Sequence, residues 1–163
     1  MLTRQENELL TQVGPETPMG AVMRRYWLPA LISSELREAD GEPVRVRLLG
    51  EDLVAFRDTS GRVGLVQANC PHRGAPLFFG RNEENGLRCI YHGWKFSVAG
   101  SCTSMPNVPP ESDFKDRVRM TAYPCTERNG VIWTYMGPPP GPAELPHMEW
   151  NVLPAEYTVL SKQ

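Results

Sequence analysis

The chain has 163 residues, 40% of them hydrophobic, which suits one domain with a buried core and is too apolar for wholesale disorder. Its formal net charge is −2 and no long block of one sign occurs, so the electrostatic footprint of a nucleic-acid binder or a polybasic membrane protein is absent. The opening MLTRQENELL has neither the basic lead nor the apolar stretch of a secretion signal, and no apolar run reaches the ~18 residues of a membrane span, so a soluble, cytoplasmic protein is expected.

In chain order, Thr3 and Glu6 form a capping-box pattern ahead of Leu9, Leu10 and Val13, which predicts a short helix over 4–13. Thr17-Pro18 predicts a second helix start, with Met19, Val22, Met23 and Tyr26 on one face and Arg24-Arg25 on a solvated one. From Pro43 the period changes to two. VRVRL (44–48) alternates apolar and basic, DLVAF (52–56) follows, and DTSGR (58–62) turns into VGLVQA (63–68). Asn85-Gly86 and Asn129-Gly130 predict tight hairpins leading into LRCI and VIWTYM, and Gly100 predicts a turn between WKFSV and SCTSM. The expected fold class is therefore mainly β, with short antiparallel strands and no βαβ units. Beyond Met136, the proline-rich GPPPGPAELPHMEW cannot continue a central strand and reads as an extended connector.

Two loops hold the chemistry. Cys70 and His72 stand in NCPHRGAP, and after sixteen residues Cys89 and His92 stand in RCIYHGWKF. Four cysteines without a secretion signal point to metal or cluster ligation rather than disulfides. Two thiolates and two imidazoles suit a structural zinc, or an iron–sulfur cluster in which histidine replaces cysteine on one iron. A zinc finger groups its ligands as Cys-Cys and His-His, whereas here each loop offers one of each, which suits a binuclear centre. One iron would take Cys70 and Cys89, the other His72 and His92. Pro71 stiffens the first loop, Gly74 and Gly93 allow close backbone approach, and Trp94 would roof the centre against water.

These loops, CPHRGAPL and CIYHGWKF, resemble the Rieske [2Fe–2S] motif. The respiratory form of that motif carries an extra cysteine in each loop and a serine. Ala75, Tyr91 and Trp94 stand at the corresponding positions here, so the resemblance implies a potential toward the lower end of the ~ −150 to +300 mV range. The flanks LLTQVGPETPMGAVMRRYWLPALISSEL and ERNGVIWTYMGP are similar to those of the phthalate-dioxygenase-like aromatic-ring-hydroxylating oxygenases, at the N-terminal part of the α subunit. The resemblance implies an antiparallel Rieske β-sandwich with a two-loop [2Fe–2S] subdomain. Residues 1–30 would form a helical lead-in, 31–137 the Rieske domain with cluster loops 69–77 and 88–97, and 138–163 a connector toward a catalytic domain. It also implies one-electron transfer from a reductase carrying flavin, a [2Fe–2S] centre or both. The acceptor would be a mononuclear Fe(II) in that catalytic domain, in a neighbouring subunit of an α3 trimer, for ring hydroxylation or demethylation.

A mononuclear iron site asks for two histidines and a carboxylate. With His72 and His92 assigned, only His147 remains, so this chain is expected to carry no oxygen-activating site and to be a piece of a longer subunit. A stand-alone Rieske ferredoxin is the alternative, and a zinc protein a remoter one. Arg73, beside a ligand, either tunes the centre or salt-bridges locally. Cys102 and Cys125 read as buried small hydrophobes, and Phe78, Phe79, Trp133 and Tyr135 as core. Glu83 and Glu84 read as hairpin-turn residues and His147 as a surface residue.

Overall fold

The alternating VRVRL and the apolar DLVAF become one hairpin. Strand β2 (Val44–Leu48) pairs with β3 (Glu51–Arg57) around a two-residue turn, Leu49-Gly50, with φ of 45° and 80°. The structure, a computed structural model, describes residues 1–109, 111–112, 114–141 and 144–161. β3 pairs in turn with β4 (Val63–Gln67), which pairs with β9 (Ala122–Tyr123), completing a four-stranded sheet. Sheet pairing throughout the described strands is antiparallel.

This sheet is the middle layer. Leu53, Ala55 and Leu65 point to one face, where they meet β1 (Trp27–Ile32) and β11 (Val131–Tyr135) of a three-stranded sheet completed by β10 (Cys125–Arg128). Val54, Phe56 and Val66 point to the other, where they pack with Cys70, Leu77, Leu87, Cys89, Trp94 and Phe96. Burial on both faces is why DLVAF is continuously apolar rather than alternating. The third sheet, β5 (Arg81–Glu83), β6 (Gly86–Arg88), β7 (Lys95–Phe96) and β8 (Cys102–Ser104), carries the second loop between β6 and β7. The fold is thus the antiparallel arrangement expected, with its two-loop subdomain packed on the outer face of the central sheet.

Helix α1 (Arg4–Thr11) starts as read: Thr3 Oγ1 accepts the Glu6 N–H at 3.2 Å and the Glu6 carboxylate accepts the Thr3 N–H at 2.7 Å. It stops short of Val13 and leaves Leu9 and Leu10 exposed. Helix α2 (Pro18–Met23) is capped by Thr17, but its inner side differs from the expected one. Gly20 faces inward, Val22 and Tyr26 stay exposed, and Arg24 is buried instead of solvated. Arg24 ion-pairs with Glu51 and donates to the Leu49 carbonyl at 3.1 Å, while Glu51 also accepts the Tyr123 hydroxyl at 2.7 Å. A buried guanidinium needs such partners, and here they come from the β2–β3 turn and β9.

Asn129-Gly130 makes the expected turn, with φ of 48° and 76° between paired Arg128 and Val131. The other hairpin is shifted by one residue. Glu83 pairs with Gly86, so the turn residues are Glu84 and Asn85, at φ of 50° and 58°. Gly86 serves close packing: a Cβ there would lie 2.8 Å from the Phe96 carbonyl oxygen. Phe79 is exposed rather than core, and Phe78 is half-buried beneath the Arg45 guanidinium, 4.0 Å from its ring centre. The C-terminal segment lies back on the β10–β11 hairpin. Leu145 and Asn151 are buried, Trp150 packs 5.7 Å from Trp133, and Arg128 donates to the Leu145 carbonyl at 2.8 Å. No helix among the described residues is long and apolar enough to cross a membrane.

Candidate metal centre

The two loops share one backbone design. In the first, the Cys70 N–H donates to the Ala75 carbonyl at 2.9 Å and the Gly74 N–H donates to the Cys70 carbonyl at 2.9 Å. In the second, the Cys89 N–H donates to Trp94 at 2.9 Å and the Gly93 N–H to Cys89 at 3.0 Å. Each loop therefore closes between its cysteine and the residue five positions on, with a glycine at the fourth. Gly74 and Gly93 have φ of 68° and 73°, the left-handed region in which a Cβ is disfavoured. The histidine sits two residues after the cysteine in one loop and three in the other.

This frame sorts the four side chains into two pairs. Cys70 and Cys89 are buried at 2% and 3% exposure, unbridged, with their thiols within hydrogen-bonding reach of one another. His72 and His92 are only half-buried, with ring centres 4.5 Å apart. The thiols thus form the inner end of the site and the imidazoles its outer end. Burial pushes the Cys70 thiol up to about 11, and neighbouring Cys89 adds to this, while the N–H groups of His72 and Arg73 directed at its sulfur pull the other way. A thiolate at neutral pH therefore needs a cation beside it. The His72 pKa is lowered by burial, then by the nearby charges of His92 and Arg73, which favours the neutral imidazole a metal requires.

Trp94, 6% exposed, does more than cover the site. Its indole lies parallel to the His72 imidazole, with centroids 4.3 Å apart and 5° between planes, so a residue of the second loop braces the histidine of the first. Tyr91, itself exposed, packs 3.8 Å from His92. Arg73 is exposed, and its side chain has no hydrogen bond or ion pair among the described residues. Gly74 has open space where a Cβ would stand, whereas Gly93 is backed by Pro106 Cγ at 3.0 Å. Cys102 is buried in β8, Cys125 in β10 is half-buried with its thiol pushed up by burial to about 12, and His147 is exposed on the C-terminal segment. None of these three joins the paired donors.

Three supporting residues carried no signal in the motif spacing. Arg88 ion-pairs with Glu83 and donates to the Gly93 carbonyl at 3.0 Å, tying the hairpin to the second loop. Buried Lys95 bonds the Glu84 carboxylate at 2.7 Å, so Glu83 at the end of β5 and Glu84 in the turn are both charge partners for this loop. Asn107 Oδ1 accepts the Trp94 indole N–H at 2.8 Å. In the sequence Arg88 adjoins Cys89 and Lys95 adjoins Trp94, but neither neighbour points to these contacts.

The donor set fits a [2Fe–2S] group. His72 Nδ1 is buried without a hydrogen-bond partner, the state of an atom reserved for a ligand. Among the described residues no three His, Cys, Asp or Glu side chains gather where they could hold a single ion. The donors instead face each other two by two. A mononuclear zinc site asks for four converging donors, whereas a sulfide-bridged pair of irons asks two protein donors of each.

The Rieske [2Fe–2S] domain family model matches residues 26–125. The chain is 56% identical over 154 residues to the 3-chlorobenzoate-3,4-dioxygenase oxygenase subunit of Comamonas testosteroni, covering 94% of this chain and 35% of the relative. It is 52% identical over 138 residues to the phthalate 4,5-dioxygenase oxygenase subunit of Pseudomonas putida, covering 85% and 31%. The chain thus spans about a third of the length of these relatives. Among solved structures it resembles dicamba monooxygenase bound to dicamba, with TM-score 0.69 and 28% identity over 80% of this chain and 41% of the other. It also resembles a reduced complex between oxygenase and ferredoxin in carbazole 1,9a-dioxygenase, with TM-score 0.62 and 28% identity over 74% and 30%. The chain belongs to the Rieske [2Fe–2S] domain family, and its relatives are oxygenase subunits.

Proposed function

We propose that this Rieske chain is the electron-carrying part of an aromatic-ring oxygenase subunit. It would receive single electrons from a reductase or ferredoxin and deliver them to a mononuclear iron in a catalytic domain, for ring hydroxylation or demethylation in the cytoplasm. A bound [2Fe–2S] cluster supplies one-electron exchange at a potential set by its ligands, hydrogen bonds and exposure. Cys70 and Cys89 would hold one iron, and His72 and His92 the other. The N–H groups of His72 and Arg73 point at the Cys70 sulfur and offset thiolate charge. Trp94 keeps water from the His72 face and holds that ring in place.

The observation that carries this reading is the polarity of the site. Buried thiols lie at its inner end, and half-buried imidazoles lie at a surface flanked by exposed Ile90 and Tyr91. The histidine end is therefore the edge presented to a partner. Relatives that are oxygenase subunits, and a structural neighbour solved with ferredoxin, support donors of that class. The acceptor in this reading is the catalytic domain of a neighbouring subunit in an α3 ring.

The test is to load the chain with iron and sulfide and mix it anaerobically with NADH and a flavoprotein reductase. Uptake of one electron per chain, returned to a one-electron acceptor, is expected. A loaded chain that takes up no electron would overturn the proposal.

A further inference from the structure

We propose that Asn107 is a positioning residue of the metal centre, acting through Trp94 on the imidazole of His72. Three segments meet here. His72 belongs to the first loop, Trp94 to the second, and Asn107 to the segment that follows β8. Asn107 Oδ1 accepts the Trp94 Nε1–H at 2.8 Å, and the indole lies parallel to the His72 ring at 4.3 Å. Phe114 meets the indole edge-on at 6.3 Å.

An indole has two torsions; core packing restricts them without direction, whereas a hydrogen bond selects one orientation of the ring. The single directional anchor on the Trp94 ring is the Asn107 oxygen, because an indole nitrogen donates one hydrogen bond and accepts none. Asn107 therefore sets the plane of the indole, and the indole sets the plane of the imidazole stacked on it. His72 needs this help: its Nδ1 is buried without a hydrogen-bond partner, so no protein contact at that atom orients the ring. Pro106, the neighbour of Asn107, already touches Gly93, which keeps the segment against the second loop. Asn107 is itself exposed, so its replacement removes the anchor without opening the core.

This inference rests on the reading of His72 as a cluster donor, so the experiment reports on both the metal-free and the loaded chain. In the metal-free chain, NMR follows hydrogen exchange at Trp94 Nε1 and the upfield ring-current shift of the His72 ring protons. Asn107→Ala is expected to speed the exchange roughly tenfold, the scale of one lost hydrogen bond, and to move the His72 signals toward unstacked values. Asn107→Asp, which keeps an acceptor oxygen, is expected to retain both. In the loaded chain, Asn107→Ala is expected to broaden the EPR spectrum of the reduced centre and to speed iron loss to a chelator roughly tenfold. In a Trp94→Phe background, where no indole N–H exists, Asn107→Ala should change neither. Unmoved His72 signals alongside faster indole exchange would overturn the proposal, as would equal effects of Asn107→Ala in both backgrounds. A wild-type chain that binds no iron would instead sink the cluster reading, leaving the metal-free result to judge Asn107 by itself.

Discussion

The two loops have the same closing hydrogen bonds and the same left-handed glycine, yet differ in what stands behind them. The first, around Cys70, turns its outer side to solvent: Arg73 is exposed and unpaired among the described residues, and nothing approaches the Cβ side of Gly74. The second, around Cys89, is held by Arg88 on the Gly93 carbonyl, by Pro106 against Gly93 and by Asn107 on Trp94. The first loop is tied at its base, by Gln67 on the Asn69 carbonyl at 2.7 Å and the Asn69–Pro76 bridge, so geometry repeated by local sequence comes with unequal support at the glycine end. The braced loop then lends its order to the other through the Trp94–His72 stack.

The donors themselves should be equal, which is the strongest check on the pairing. Cys70→Ser and Cys89→Ser are each expected to abolish retention of iron and sulfide, because each would strip the same iron of one of its two protein ligands. Full metal retention by either variant in an iron and sulfide assay would break the pairing.

The supports should not be equal. Arg88→Leu removes a charged hydrogen-bonding partner of a half-buried site and is expected to destabilise the protein by about 1–3 kcal/mol. Arg73→Leu should stay within about 0.5 kcal/mol, as an exposed substitution without partners. Urea unfolding of the two variants reads the difference directly, and equal losses would contradict the asymmetry. Next in size, Gly74→Ala and Gly93→Ala each force an L-residue to positive φ at about 1–2 kcal/mol. Gly93→Ala should cost more, because Pro106 must also give way; a larger loss at Gly74 would reverse the ranking of the loops.

The smallest effect is the pH dependence contributed by the braced side. The carboxyl pKa of Glu83 is lowered by its hydrogen bonds from Arg88 and Arg81, and that of Glu84 by Lys95. Because the folded values lie below the ordinary 4.5, their stabilisation is present above that pH and is lost as pH falls through the folded values. Melting temperature should therefore decline on acidification below about 4.5, and less steeply in Glu83→Gln and Glu84→Gln. An identical decline in the double variant would mean that other carboxylates carry it.

How much of this was legible in the sequence follows the reach of each interaction. The Thr3–Glu6 cap, the Asn129-Gly130 turn and the two donor loops are local, so spacing and residue type were enough. DLVAF reads as a strand, but that both its faces are covered depends on which sheets lie above and below. Gly86 looked like a turn glycine and is a packing glycine, since the close approach of Phe96 is invisible until β7 is placed. The Leu49-Gly50 turn carries no Asn-Gly type signal, and leucine rarely adopts positive φ. Arg24 looked solvated because its partners Glu51 and Leu49 lie far along the chain. In the sequence Trp94 reads as a cover, while its stacking on His72 and its bond to Asn107 depend on three segments brought together.

The most direct test of the centre is one EPR spectrum of the dithionite-reduced chain, with iron, acid-labile sulfide and zinc assayed on the same sample. The predicted result is a rhombic signal with average g below the free-electron value, and two irons and two sulfides per chain, the [2Fe–2S] stoichiometry. An EPR-silent, colourless sample holding one zinc per chain and no sulfide would contradict it, and the paired donors would then serve a structural ion.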